Sequence, residues 1–208
     1  MEEGEKLLGL VTIGDAIIKD IKKNVNNIED FRKKIGGHSK ENTTELLSVI
    51  LLGALTLEAS DIHIEPQKDK VRLRIRIDGI LQDTTFFEQS IYNNLLSRLK
   101  LLSKIKLNIT QRPQDGRFTI LIPMAEPLRT RDKTGVEDLL IEIRTSSLPS
   151  EWGESIAMRI LNPKNLMELE TLGLRNDLYK LLEQELKKPT GMIVVAGPTG
   201  SGKTTTLY

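Results

Sequence analysis

A phosphate-binding loop of the pattern Gly-x4-Gly-Lys-Thr stands near the C-terminal end of the sequence. It follows an apolar run rich in β-branched residues, Met192 to Ala196, of the kind that forms a buried parallel strand. We predict that the loop binds a nucleoside triphosphate. Its members are Gly197, Pro198, Thr199, Gly200, Ser201, Gly202, Lys203, Thr204 and Thr205.

Each residue type in this loop has a chemical reason. Glycines let successive backbone N–H groups converge on phosphate oxygens, an approach that side chains would obstruct. Lys203 is expected to reach the β- and γ-phosphates, and Thr204 to offer its hydroxyl to Mg²⁺. The helix beginning near Lys203 would point the positive end of its dipole at the same anion. The alternative is a glycine-rich turn with no ligand.

The sequence stops four residues after Thr204. A phosphate-loop domain also needs an acidic second strand, for Mg²⁺ and the attacking water, and further parallel strands beside the first. We therefore expect these 208 residues to be the front part of a longer protein and to be inactive as an ATPase by themselves.

Composition excludes several function classes. With 38% hydrophobic and 28% charged residues the chain is typical of a globular protein, and a net charge of +1 gives no electrostatic case for a nucleic-acid partner. The absence of cysteine excludes disulfides and thiolate metal sites. The acidic N-terminus, Met1 to Glu5, lacks the basic segment of a secretory signal, so the cytoplasm is the expected compartment.

Two helices are predicted in the first part of the chain. Ile13, Ile17 and Ile21 have the spacing of a short amphipathic helix, to which we assign no chemistry beyond packing on its own domain. Asn42 is a candidate cap for an apolar helix from Leu46 to Leu57. That run is shorter than the roughly 20 residues that a membrane span needs, so no transmembrane segment is predicted.

An antiparallel sheet follows. Val71 to Ile77 alternates apolar residues with arginines, and Asp78-Gly79 is a strong hairpin signal. The basic face of this strand either contacts phosphate or an acidic surface, or is simply solvated. His63, in the preceding strand, is more typical of a structural histidine than of a metal ligand or a base.

Two further helices and three further strands are predicted before the phosphate loop. A helix from about Ser90 to Leu107 is predicted to keep Lys100 outside, and Gln111 to Arg117 holds Pro, Asp and Gly in turn positions. Arg144 and Arg159 should project from the polar face of adjacent strands. The remaining predictions are a strand containing Phe118 and Ile122, strands at Leu139 to Thr145 and Ser155 to Leu161 joined by Ser146 to Glu154, and a helix at Asn176 to Lys188.

Six motifs in order resemble the secretion-ATPase superfamily, and most of all its type II secretion ATPase (protein E) and type IV pilus assembly ATPase branch. The resemblance covers residues from about 42 to 208, and the first 40 residues resemble no family that we can place. The motifs are Ala59 to Pro66, Arg74-x-Arg76-x-Asp78-Gly79, Gln114 to Arg117, Gly153-Glu154 ahead of Met158-Arg159, Leu172-Gly173, and Gly197 to Tyr208.

This resemblance implies a hexameric motor that uses ATP and Mg²⁺, lies in the cytoplasm at the inner membrane, and works with inner-membrane secretion or pilus platform proteins. It also implies an α+β, PAS-like N-terminal domain with a mostly antiparallel sheet, followed by the first strand and phosphate loop of an α/β RecA-like ATPase domain. The expected divisions are an N-terminal helical segment at 1–40, the α+β domain at 41–163, and a linker helix with the start of the ATPase domain at 164–208. In the family, arginines of the N-terminal domain reach the nucleotide phosphates, and by position these are Arg144, Arg159 and Arg117.

One segment departs from the family pattern, since residues 123–138 are longer than the usual connection between these strands and are expected to form an exposed excursion.

Two alternatives to a secretion or pilus assembly motor stay open. One is a nucleotide-independent module that docks on neighbouring subunits or on a platform protein. The other is a pilus retraction ATPase, which the Arg-x-Asp-Gly and Gln-Asp-Gly-Arg motifs disfavour.

Overall fold

A computed structural model describes residues 9–38, 42–123, 138–162, 173–198 and 206. The chain divides into two compact units, Met1–Leu161 and Asn162–Tyr208. The helices of the described residues are α1 (Asp15–Asn24), α2 (Ile28–His38), α3 (Thr43–Thr56), α4 (Gln89–Leu102) and α5 (Asn176–Leu186). The strands are β1 (Leu10–Thr12), β2 (Asp61–Pro66), β3 (Val71–Ile77), β4 (Ile80–Phe87), β5 (Gln114–Ile122), β6 (Leu139–Ser150) and β7 (Gly153–Leu161).

The first unit is built on one seven-stranded sheet in the order β1-β5-β6-β7-β2-β3-β4. Only β1 and β5 pair in parallel, and the other neighbouring strands are antiparallel. The expected α+β domain with a mostly antiparallel sheet is thereby confirmed.

Alternation along the strands separates the two faces of the sheet. In β3, Val71, Leu73 and Ile75 are fully buried, while the arginines between them lie on the other face. The β3–β4 hairpin turns at Asp78 and Gly79, whose φ angles of 50° and 78° are the positive values that such a two-residue turn requires. Both observations confirm the predicted hairpin.

Helices α1 to α4 share one hydrophobic core with the apolar face of the sheet. Asn42 caps α3, because its side chain accepts a hydrogen bond of 2.9 Å from the Thr44 N–H, and α3 contacts α1, α2 and α4. A Cβ at Gly53 would lie 2.2 Å from the Phe31 ring, so only glycine lets α2 approach α3 there. Residues of β1, α1 and α2 therefore belong to the same hydrophobic core as the sheet.

The predicted element ends differ from the observed ones around β5 and β6. Helix α4 ends at Leu102 and not near Leu107, and Gln114 to Gly116 lie in β5 and not in a turn. The predicted connection between β6 and β7 is reduced to the turn at Glu151 and Trp152, since the strand ladder continues to the pair Ser150 and Gly153. Residues 124–137 of the expected excursion lie outside the described residues.

The second unit corrects the predicted strand before the phosphate loop. Helix α5 forms close to its expected bounds, but residues 191–197 have no regular secondary structure, and Met192, Ile193 and Val194 are exposed. The prediction of a buried strand at Met192 to Ala196 is therefore wrong for this structure. A strand needs a neighbouring strand for its backbone hydrogen bonds, and the described residues of this unit contain none.

Candidate functional site

Four arginines and one aspartate form a single transverse row across five strands, on the face of the sheet away from the core. We call these residues the arginine row. Directly opposed residues on one face have Cβ atoms about 4.5–5.5 Å apart, so neighbouring members of the row are in reach of one another. In order across the sheet, the row is Arg117 (β5), Arg144 (β6), Arg159 (β7), Asp61 (β2) and Arg76 (β3).

The end of the row formed by Arg117, Arg144 and Arg159 is open to solvent, and Arg144 Nε donates to Glu142 Oε1 at 3.4 Å. The side chains of Arg144 and Arg159 are 63% and 68% exposed, and Arg117 is also exposed. Like charges directly opposite each other destabilise a sheet. Three directly opposed arginines are therefore unfavourable for the sheet itself, and such an arrangement is expected where function requires it. Their guanidinium groups offer many N–H donors to an anion.

Asp61 is the carboxylate within the row. The Nε atoms of Arg159 and Arg76 donate to Asp61 Oδ1 and Oδ2 at 3.0 Å and 3.2 Å, and the Ser60 hydroxyl donates to Oδ2 at 2.9 Å. Burial raises the pKa of Asp61, but the hydrogen bonds from Arg159 and Ser60 and the two arginine charges outweigh this and hold the pKa below its ordinary value. Asp61 is therefore ionised at neutral pH and joins β3 to β7.

The remaining β3 arginines are occupied by Glu65. Arg72 Nη2 donates to Glu65 Oε2 at 3.0 Å, and Arg74 Nη2 donates to Glu65 Oε1. Burial raises the pKa of Glu65, and the bonds and charges of Arg74 and Arg72 reverse this to a lowered pKa. The predicted basic face of β3 is thus largely neutralised by the acidic residues of β2.

His63 lies between these two acidic residues of β2, and its Nδ1 is 3.9 Å from Glu65 Oε1. Burial lowers the pKa of His63, only partly offset by Asp61 and Glu65, so the ring is neutral at pH 7. In the parts of the chain that the structure describes, no group of three His, Cys, Asp or Glu residues could hold a metal ion.

A buried ion pair fixes the backbone that leads to Arg117. Lys100 Nζ donates to Glu154 Oε1 at 2.8 Å and to the Ile109 carbonyl at 2.8 Å, which ties α4 and the following loop to β7. The loop then packs on β5 so closely that a Cβ at Gly116 would lie 2.1 Å from the Ser103 carbonyl oxygen, which accepts from the Arg117 N–H at 3.3 Å.

The prediction that Lys100 lies outside is therefore wrong, since its side chain is 2% exposed. A lysine almost never becomes fully buried without a charged partner, and here the partner lies 54 residues further along the chain. The sequence signal for this partner is the Gly153-Glu154 motif, which supplies the carboxylate. Ser147 also donates to Glu154 Oε1, at 2.7 Å.

Only part of the predicted phosphate loop can be located. Gly197 and Pro198 are described and lie outside regular secondary structure. Thr199, Gly200, Ser201, Gly202, Lys203, Thr204 and Thr205 lie outside the described residues. The structure brings Arg117, Arg144 and Arg159 together, while the roles of the loop residues stay predictions.

The α+β fold and the phosphate-loop sequence agree with the result of a family comparison. The profile of the family described as "Type II/IV secretion system protein" matches residues 38–208, and the chain belongs to this family. Within it, the relatives place the chain with the type II secretion protein E and type IV pilus assembly ATPases, the branch expected from the motifs.

Curated relatives cover most of this chain. The "Protein transport protein HofB homolog" of Haemophilus influenzae is 38% identical over 169 residues, which are 81% of this chain and 34% of the relative. "Type IV pilus assembly ATPase PilB" of Myxococcus xanthus is 32% identical over 100% of this chain and 34% of its own length. "Type II secretion system protein E" of Pectobacterium carotovorum is 35% identical over 78% and 30%. The chain thus spans about a third of the length of these relatives.

A solved structure supports the fold alone. The ATPase DotB of Yersinia pseudotuberculosis superposes with a TM-score of 0.50 at 22% sequence identity, covering 80% of this chain and 41% of DotB. Within the described ranges, no helix of this chain is long and apolar enough to cross a membrane.

Proposed function

We propose that the chain is the ATP-binding part of a motor ATPase that powers type II protein secretion or type IV pilus assembly. In this proposal, the loop Gly197 to Thr205 binds ATP, and Arg117, Arg144 and Arg159 act on nucleotide phosphates. The observation that carries the proposal is the exposed, directly opposed arrangement of the three arginines on neighbouring strands.

The chemistry of phosphoryl transfer favours such an arrangement. Negative charge spreads over the oxygens of the transferring phosphoryl group, and preorganised cations aimed at that charge stabilise the transition state. Guanidinium groups also match phosphate geometry with paired N–H donors. Because Arg144 and Arg159 project from paired strands, their stems are held in fixed register before the nucleotide arrives.

The phosphate loop supplies the complementary groups. Backbone N–H groups of Gly197 to Thr205 would surround the phosphates, with Lys203 at the β- and γ-phosphates. The Thr204 hydroxyl would hold Mg²⁺, which would supply charge neutralisation during phosphoryl transfer.

We further propose that the full-length protein has a PAS-like N-terminal domain and a RecA-like ATPase domain. It would assemble as a homo-hexamer in the cytoplasm and act at the inner membrane on secretion or pilus platform proteins. The support for these points is family membership and the names of the relatives, which include both secretion and pilus assembly.

Replacing Lys203 by alanine in the full-length protein tests the nucleotide site. Lys203→Ala should abolish ATP hydrolysis while the circular dichroism spectrum and the hexamer are retained, because the residue serves charge stabilisation and not packing. Lys187→Ala is the matched control, since this lysine lies at the exposed end of α5 and pairs only with Glu183 among the described residues. Normal turnover in a folded Lys203→Ala hexamer would refute the assigned role.

A further inference from the structure

Asp61 is the one acidic residue of the arginine row, and it lies between two arginines. It lies on β2, directly opposite Arg159 on one side and Arg76 on the other. Its side chain is 13% exposed, whereas that of Arg159 is 68% exposed. The carboxylate is therefore largely shielded from solvent, whereas the arginine bound to it, which we have assigned to the phosphates, is mostly exposed.

The bond between the two side chains uses the inner part of the guanidinium. Arg159 donates through Nε, the nitrogen nearest the backbone, to Asp61 Oδ1 at 3.0 Å. The terminal Nη1 and Nη2 atoms carry the other N–H donors of the group, and these are the donors that form a fork toward phosphate oxygens. Asp61 can thus hold the stem of Arg159 without consuming the end that would meet a ligand.

Asp61 is itself held in place. Its second oxygen accepts from Arg76 Nε at 3.2 Å and from the Ser60 hydroxyl at 2.9 Å. Arg76 is anchored in turn, because its Nη1 donates to the Gly79 carbonyl at 3.0 Å in the β3–β4 turn. A chain of hydrogen bonds therefore runs from a tight turn through Arg76 and Asp61 to Arg159.

We propose that Asp61 is a positioning residue for catalysis, which fixes the guanidinium of Arg159 for its contact with the transferring phosphoryl group. The inference rests on the proposed function of Arg159. A group that acts on a transition state must be accurately placed, and a displacement of about 1 Å can cost about 100-fold in rate. The competing view is that the Asp61 bonds only stabilise the sheet.

The first test measures steady-state ATP hydrolysis by full-length Asp61→Asn. Asparagine keeps the size of the side chain but loses the charge that holds Arg159, so kcat should fall about 10- to 100-fold. The KM for ATP should stay the same or fall, because one negative charge near the phosphates is removed. Glu65→Gln is the matched control, since Glu65 lies on the same strand and face but binds Arg72 and Arg74, outside this chain of bonds to Arg159. It should leave kcat unchanged.

The double variant separates positioning from stability. If Asp61 acts through Arg159, Asp61→Asn/Arg159→Ala should have the same kcat as Arg159→Ala alone. Multiplied losses in the double variant, or a normal kcat in Asp61→Asn, would overturn the inference while leaving the function of Arg159 intact. A normal kcat in Arg159→Ala would instead overturn the proposed function from which the inference starts.

A measurement on the unmodified 208-residue chain covers the case in which Asp61→Asn does not fold. Arginine side-chain NMR should show slower solvent exchange at Nε–H of Arg159 than of Arg144, whose Nε lies 3.4 Å from its acceptor on Glu142. Conservative Arg159→Lys and Arg144→Lys variants assign the two signals. Equal exchange rates would show that Asp61 does not hold Arg159, and the inference would then be wrong.

Discussion

Arginines occur in two groups on one face of the same sheet, and the two groups are used differently. On β3, Arg72 and Arg74 are 29% and 23% exposed and bind Glu65 on the neighbouring strand. On β6 and β7, Arg144 and Arg159 are more than 60% exposed and stand directly opposite each other. Lying on the polar face of the sheet therefore does not determine whether an arginine binds a neighbouring carboxylate or stays exposed to solvent.

The acidic residues on the neighbouring strand make the difference. Strand β3 lies between β2, which carries Asp61 and Glu65, and β4, where Asp83 Oδ1 is 3.9 Å from Arg72 Nη1. Strand β6 lies between β5 and β7, which place Arg117 and Arg159 on either side of Arg144. The β3 arginines hold the sheet together. Among the described residues, Arg144 has no acidic residue directly opposite it, and Arg159 binds Asp61 of β2 only through Nε, so the ends of both side chains are available to an anion.

The largest expected difference between the groups is in catalysis. Arg144→Ala and Arg159→Ala in the full-length protein should each lower kcat by about 10³-fold, with a smaller effect on ATP affinity, because their contacts are strongest in the transition state. Arg74→Ala should leave kcat unchanged. Steady-state ATPase assays on the three purified hexamers make the comparison.

Arg74 is a better control here than Arg76. Both lie on the polar face of β3, but Arg76 shares Asp61 with Arg159 and is therefore connected to the proposed site. If Arg74→Ala lowered kcat as much as Arg159→Ala, the effect would belong to the basic character of the face in general. The assignment of Arg144 and Arg159 to the phosphates would then have to be abandoned.

The effects of these substitutions on folding stability should be the reverse of their effects on kcat. Arg74→Ala should lower the free energy of unfolding by about 1–2 kcal/mol, because it removes a charged hydrogen bond from a mostly buried Glu65. Arg144→Ala should change it by less than about 0.5 kcal/mol, since an exposed arginine between two others is removed. Urea denaturation of the 208-residue chain, followed by circular dichroism, measures both. Equal losses in the two variants would contradict the proposed division.

The smallest expected effect is a difference in acid sensitivity. The pKa of Glu65 is below its ordinary value in the folded chain, so its contribution to stability is complete above the unfolded pKa of about 4.3 and is lost as pH falls through the folded pKa. Glu65→Gln should therefore weaken the fall in urea midpoint between about pH 5 and pH 3. Arg144→Ala, which leaves the Glu65 pairs intact, should show the same fall as the unmodified chain.

Local patterns predicted much of this fold and part of the site. Alternation along Val71 to Ile77 and the Asp78-Gly79 turn identify a hairpin because strand period and turn geometry are local properties. The same alternation correctly placed Arg144 and Arg159 on the polar face of adjacent strands. Their direct opposition to each other and to Arg117 depends on strand order and register, which local patterns do not contain.

The wrong predictions also arise from contacts between residues that are far apart in the sequence. Lys100 occupies a polar position of its helix, and its burial depends on Glu154, which is far away in sequence. Met192 to Ala196 has the composition of a strand, but a strand forms only where another strand pairs with it. The nucleotide roles of Lys203 and Thr204 stay predictions from the motif.

The pairing of β1 with β5 bears on how this protein can be shortened for experiments. The family profile begins at residue 38, yet Leu10–Thr12 covers the edge of β5, and Phe31 and Ile35 are fully buried. A chain trimmed to the family match would expose the hydrogen-bonding edge of β5 together with an apolar surface of α3. Uncovered strand edges invite pairing between molecules, so self-association would be the practical result of using the family boundary as the cutting point.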